Sequence, residues 1–199
     1  MEFLRVFVRK RKGPGPSRHL VVWWLIYALL LIGGRNLPAQ AAIPAEYQVK
    51  AVFLFNFAQF VDWPSNVFPE AQTPLVIGVL GEDPFGAYLD ETVRGEKVNN
   101  RPVIVQRYRR IGEIKACHVL FISRSEVDRL EQILASLKGQ SILTVGDFDG
   151  FARRGGMIRF VTEKNKIRLR IGLETAKAAN LVISSKLLRP AEIVAPGKD

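Results

Sequence analysis

Residues Tyr47–Pro64, YQVKAVFLFNFAQFVDWP, decide how this chain is read. Phe53, Phe55 and Phe57 alternate with other residues, as on a strand, but the rest of the run does not. On a helical wheel Tyr47, Ala51, Leu54, Ala58 and Val61 form one apolar seam, at spacings of 4, 3, 4 and 3. Phe53, Phe57 and Phe60 form a second stripe beside it, while Gln48, Asn56 and Gln59 gather opposite. A long segment without glycine, closed by Pro64, suits a helix better than a strand. Its apolar arc is wide, so most of its circumference is expected to be buried. Leu54, Ala58 and Val61 are expected to pack. Phe57 and Trp63 remain candidates for a partner surface.

Upstream of this helix the composition changes in kind. Arg5, Arg9, Lys10, Arg11, Lys12 and Arg18 form a basic head before the uncharged run Leu20–Ile32, LVVWWLIYALLLI. Gly33 and Gly34 break the run, and Ala39-Gln40-Ala41 follows. This is the layout of a secretory signal. A membrane span needs roughly 20 apolar residues, more than this run offers. The expected organisation is a signal peptide over residues 1–41, cleaved after Ala41, and a single domain over residues 42–199; an uncleaved anchor is the other reading. Of 29 basic and 19 acidic residues, seven and one respectively fall within residues 1–41, leaving 22 and 18. Most of the basic excess therefore belongs to the leader, which argues against nucleic acid as a partner.

Downstream, short apolar runs alternate with helical patterns. Pro74–Gly81, Arg101–Tyr108, His118–Ser123 and Ser141–Asp147 read as strands, the first apolar enough to be covered on both faces. A helix is expected from Asp83-Pro84, with Asp83 as its cap, and another over Ser125–Leu137, capped by Ser125. Residues 157–171 alternate around EKNK as a hairpin with Asn165 at the turn. Leu173–Ala179 and the ISSKLL segment read as short helices. The expected fold is α/β, a three-layer sandwich around a mixed, mostly parallel sheet of about six strands, with a C-terminal antiparallel hairpin.

The chemistry is sparse. Beyond the leader there is one histidine, His118, and one cysteine, Cys117. That excludes an internal disulfide and leaves no usual zinc set. No G-x-S-x-G, P-loop or G-x-G-x-x-G occurs, so neither a cofactor nor catalysis is expected. If the early strands are parallel, their C-terminal ends gather the loops GEDPFG, SRSE and GDFDGF. Glu82, Asp83, Ser123, Arg124, Asp147 and Asp149 are then candidates for a small-molecule site, or serve as turn and helix caps. In ARRGG, Arg153 and Arg154 precede Gly155 and Gly156, whose backbone N–H groups could cradle an anion or acidic loop. These four are candidates for partner binding.

The segments YQVKAVFLFNFAQFVDWP, VLGEDPFG, ACHVLFISRSE, ILTVGDFDGFARRGGMIRFV and ANLVISSKLL together resemble, in order and spacing, the YfiR family of exported proteins. The resemblance runs from about Tyr47 to Leu188. It implies a periplasmic α/β protein, often a homodimer and not an enzyme. Its role would be to hold the periplasmic sensor domain of an inner-membrane diguanylate cyclase inactive, so limiting cyclic di-GMP and biofilm. An OmpA-like outer-membrane lipoprotein can sequester such a repressor. Some members carry a cysteine pair; Cys117 matches one position, and Gly78 stands at the other. Two functions follow: a regulator that restrains a cyclase, or a periplasmic small-molecule module with its ligand at the sheet edge.

Overall fold

A computed structural model describes residues 44–164 and 166–195. The expected leader and the hairpin-turn Asn165 lie outside the described residues. Helix α1 (Ala45–Phe60) starts directly after Pro44 and ends where Val61 turns extended. There β1 (Val61–Asp62) pairs antiparallel with β9 (Val182–Ile183), a separate two-stranded sheet. The seam read from the spacing is the buried one, since Ala51, Leu54, Ala58 and Val61 are all inaccessible.

The second stripe is core as well. Phe57 is fully buried and stacks on Phe160 at 5.6 Å between ring centroids. Phe53 leans on both rings. Full burial of one such phenylalanine stabilises the fold by about 2–3 kcal/mol. Phe57 is therefore not available to a partner, which corrects that expectation. Trp63 is half-buried and stands edge-on to His118, 6.1 Å between centroids.

The main sheet contains β2 (Leu75–Leu80), β3 (Lys97–Val98), β4 (Arg101–Tyr108), β5 (Val119–Ile122), β6 (Leu143–Gly146), β7 (Ile158–Glu163), β8 (Lys166–Ile171) and β10 (Glu192–Ile193). It is mixed and mostly parallel, with eight strands in the order β10-β8-β7-β6-β5-β2-β4-β3. Strands β4, β2, β5, β6 and β7 are mutually parallel. The hairpin β7–β8 is antiparallel and in the expected register, Phe160 opposite Leu169. Strand order reverses beside β2, which places a topological switch point between β2 and β5.

Alternation within each strand sorts the core into two layers. Ile77, Val79, Val119, Phe121 and Val145 meet α1, α2 (Ala87–Val93) and the C-terminal elements. Leu80, Leu120 and Ile122 meet Leu130 and Ile133 of α3 (Leu130–Ser136) on the other face. Both faces are thus covered, which is why β2 is apolar throughout and buried throughout. The chain closes with α4 (Leu173–Ala178) and α5 (Ser185–Leu188).

Two helix starts differ from the reading of the sequence. Helix α2 begins at Ala87, and Asp83 instead accepts from the Phe85 N–H (2.7 Å) in a local turn. The segment Arg124–Arg129 is a 3₁₀ helix ahead of α3, so Ser125 lies inside it rather than capping it. The β6–β7 crossover has no helix. It is a chain of turns whose Phe148 and Phe151 fill the second core layer. The Phe151 ring lies flat between Gly146 and Gly156, and a Cβ at either glycine would collide with it.

Candidate functional site

The C-terminal ends of β2, β5 and β6 bring the three polar loops to one edge, as the parallel order requires. At the switch point between β2 and β5, side chains of the protein itself fill the crevice. Gly81, at a φ of +89°, leaves room for Ser125 and Glu126, and a Cβ there would overlap both. Ser125 Oγ accepts from the Glu82 N–H at 3.0 Å. Glu126 is buried and pairs with Arg129 at 2.7 Å. Phe85 closes the floor edge-on against Phe121 and Tyr47.

The six candidate ligand residues separate into distinct local arrangements. Asp83 pairs with Arg107 Nε at 2.6 Å, and Arg107 also holds Asp90 at 2.5 Å. That guanidinium lowers the Asp90 carboxyl below its usual range. Ser123 is buried, its N–H donating to Leu80 O. Glu82 contributes its backbone N–H to Ser125. Asp149 is exposed and pairs with the buried Arg159. Only Arg124 and Asp147 are drawn together, the Arg124 Nη2 donating to Asp147 O at 3.3 Å. Asp83, Ser123 and Asp149 thus hold local structure rather than line one cleft.

Asp147 is the centre of a buried cluster that no sequence motif announced. Lys50 Nζ donates to Asp147 Oδ2 at 2.7 Å, and Tyr47 Oη donates to the same oxygen at 2.9 Å. Lys50 also pairs with Glu46 at 2.5 Å, and Glu46 accepts from Thr162 Oγ1 at 2.9 Å. The Lys50 and Asp147 side chains are each only 3% exposed. Burial, then the Asp147 charge, pushes the Tyr47 phenol up to about 12. The hydrogen bond from Lys50 holds Glu46 below its usual range. The one available signal was a lysine within an apolar helix, four residues after a glutamate. Chemically the cluster clamps the first turns of α1 onto the sheet edge.

The ARRGG turn differs from expectation in a way that matters for binding. The Gly155 and Gly156 amides donate to Ala152 O and Phe151 O, and the Arg154 amide to Gly150 O. Neither glycine amide is left to cradle an anion, and Gly156 is explained by the Phe151 ring. Arg154 forks onto Glu131 at 2.6 and 2.7 Å and reaches Val127 O at 2.7 Å. This pair draws the Glu131 carboxyl down to about 2. Arg153 is exposed and has no ion pair among the described residues. Arg124 and Arg153 are therefore the outward cations of the edge.

Residues 47–192 match the family described as YfiR/HmsC-like. The chain belongs to the YfiR/HmsC-like family. No curated protein matches it. The family is regulatory rather than catalytic. Among the described residues no helix is long and apolar enough to cross a membrane. The cysteine geometry of the YfiR-like chain also becomes legible. A Cβ at Gly78 would stand 2.8 Å from Cys117 Sγ, so the β2 position faces a residue just ahead of β5. Cys117 itself is free and buried, and burial pushes its thiol up to about 12.

Proposed function

We propose that this YfiR-like protein is a non-enzymatic repressor that holds the periplasmic sensor domain of an inner-membrane diguanylate cyclase inactive. In this reading it is exported, cleaved after Ala41, acts as a homodimer, and is itself titrated by an OmpA-like outer-membrane lipoprotein. The observation that carries the reading is the family match across nearly all the described residues. The filled switch-point crevice supports a protein-binding edge over a small-molecule one, because Ser125, Glu126 and Phe85 occupy the space where an α/β ligand would enter. The partner face would present Arg124 and Arg153, with the Arg154–Glu131 pair fixing the turn behind them.

The test is capture of membrane proteins from detergent-solubilised envelope on the tagged protein, followed by cyclic di-GMP measurement. Recovery of one protein with a periplasmic domain and a cytoplasmic cyclase domain is expected. Deleting the repressor should raise cyclic di-GMP, and Arg124→Glu with Arg153→Glu should do the same while leaving the melting temperature unchanged. If the double variant still binds and represses that cyclase, the partner face lies elsewhere. If deletion leaves cyclic di-GMP unaltered, the repressor reading fails.

A further inference from the structure

At the end of the sheet opposite the polar edge, a groove opens between the last turn of α3 and α4. Its volume is about 180 Å³. Leu134, Leu137, Met157 and Ala178 wall it. Thr144 Oγ1, at its base, is already committed to the Met157 N–H at 3.1 Å. Water in such a space finds few hydrogen-bond partners, so an apolar occupant is favoured. Besides Thr144, the polar side chains of the lining are Lys138, Gln140 and Thr175. Lys138 is the only charged residue lining the groove. It is exposed, and it has no ion pair among the described residues.

We propose that this groove binds a small free carboxylate with a short apolar tail. The tail lies between Leu134, Leu137 and Met157, and the carboxylate meets the Lys138 ammonium. At roughly 30 Å³ per water-sized group, about six heavy atoms fit, which sets the tail near the length of hexanoate. Gly155 of the ARRGG turn contributes to its lining, but the site needs no partner protein, so it goes beyond the repressor reading.

The probes are hexanoate, butyrate, acetate and hexan-1-ol, titrated into the full chain. Binding is followed by the ¹³C methyl resonance of Met157, the one methionine among the described residues. Hexanoate should shift that resonance saturably. Each CH₂ removed should weaken binding about fourfold. Lys138→Met should weaken hexanoate about tenfold and leave hexan-1-ol unchanged. Ala178→Phe, at an exposed helix position, should fill the groove and abolish both. The proposal is overturned if hexan-1-ol binds as well as hexanoate, or if Lys138→Met leaves hexanoate binding unaltered. It is equally overturned if binding survives Ala178→Phe, or if no probe shifts Met157 at millimolar concentration.

Discussion

Acid should loosen this protein through one side chain, His118. It is buried, and its Nδ1 accepts from the Val76 N–H at 3.0 Å. An imidazolium cannot accept, so protonation breaks that bond as well as burying a charge. Phe68 stacks on the ring at 4.5 Å, and the Arg101 guanidinium caps Phe68 at 4.1 Å. Arg101 in turn donates to Glu70 O, Ala71 O and Thr73 O, tying down the loop before β2. Burial, and then Arg101, lowers the histidine from 6.5 to about 4. Between those values the folded state binds fewer protons than the unfolded one. Stability is therefore complete above pH 6.5, falls as pH drops, and stops falling from this source below about 4. At pH 5 the loss relative to pH 8 is about 2 kcal/mol, or a melting point lower by about 4–8 °C. The carboxylates held low, Glu46, Asp90 and Glu131, lose their contribution only at more acid pH, so the window is His118's own. The assay is urea unfolding at pH 8, 6.5, 5.5 and 5 for the wild type and His118→Asn. The variant should be less stable at pH 8 yet nearly flat across the window. Equal slopes for the two proteins would refute the reasoning.

Three other outcomes follow from the geometry. Lys50→Met leaves Asp147 buried with only the Tyr47 hydroxyl as donor, so chemical denaturation should show a loss of about 3 kcal/mol; adding Asp147→Asn should return part of it. Gly78→Cys should form a disulfide with Cys117 under oxidising conditions, detected by thiol titration and mass spectrometry. Closing that loop is worth up to about 4 kcal/mol, reduced because Tyr108 and Leu120 must give way. Arg154→Ala removes a solvent-facing pair, so the melting temperature should barely move; a clear drop would mean that the Arg154–Val127 contact holds the turn.

Much of the architecture was legible because period and burial coincide. The α1 seam, the all-apolar β2 and the alternating β7–β8 hairpin each carry a pattern that a single burial geometry explains. The two-residue strands β1, β3, β9 and β10 carry none, since pairing rather than composition makes them strands, and this is why about six strands became eight in the main sheet. Asp83 and Ser125 have cap chemistry, but Asp83 accepts from a backbone N–H two residues on, and Ser125 from one 43 residues away, across the switch point. The ARRGG turn misled because Gly156 answers to a ring five residues upstream and Gly155 to a φ of +101°, not to a ligand. Lys50 was hidden in plain view: a helical wheel places it beside the seam, but only the fold brings Asp147 to meet it.

That meeting has a consequence in time. Helix α1 leaves the ribosome early, yet Tyr47 and Asp147 are 100 residues apart, and Phe57 waits longer still for Phe160. Until β6 and β7 exist, a helix apolar on most sides has nothing to cover it. The nascent chain is therefore at its most vulnerable for about half of its synthesis, and contacts so distant in sequence form slowly. Fragments ending before Gly146 should be insoluble or held by chaperones, whereas those extending through β8 should not.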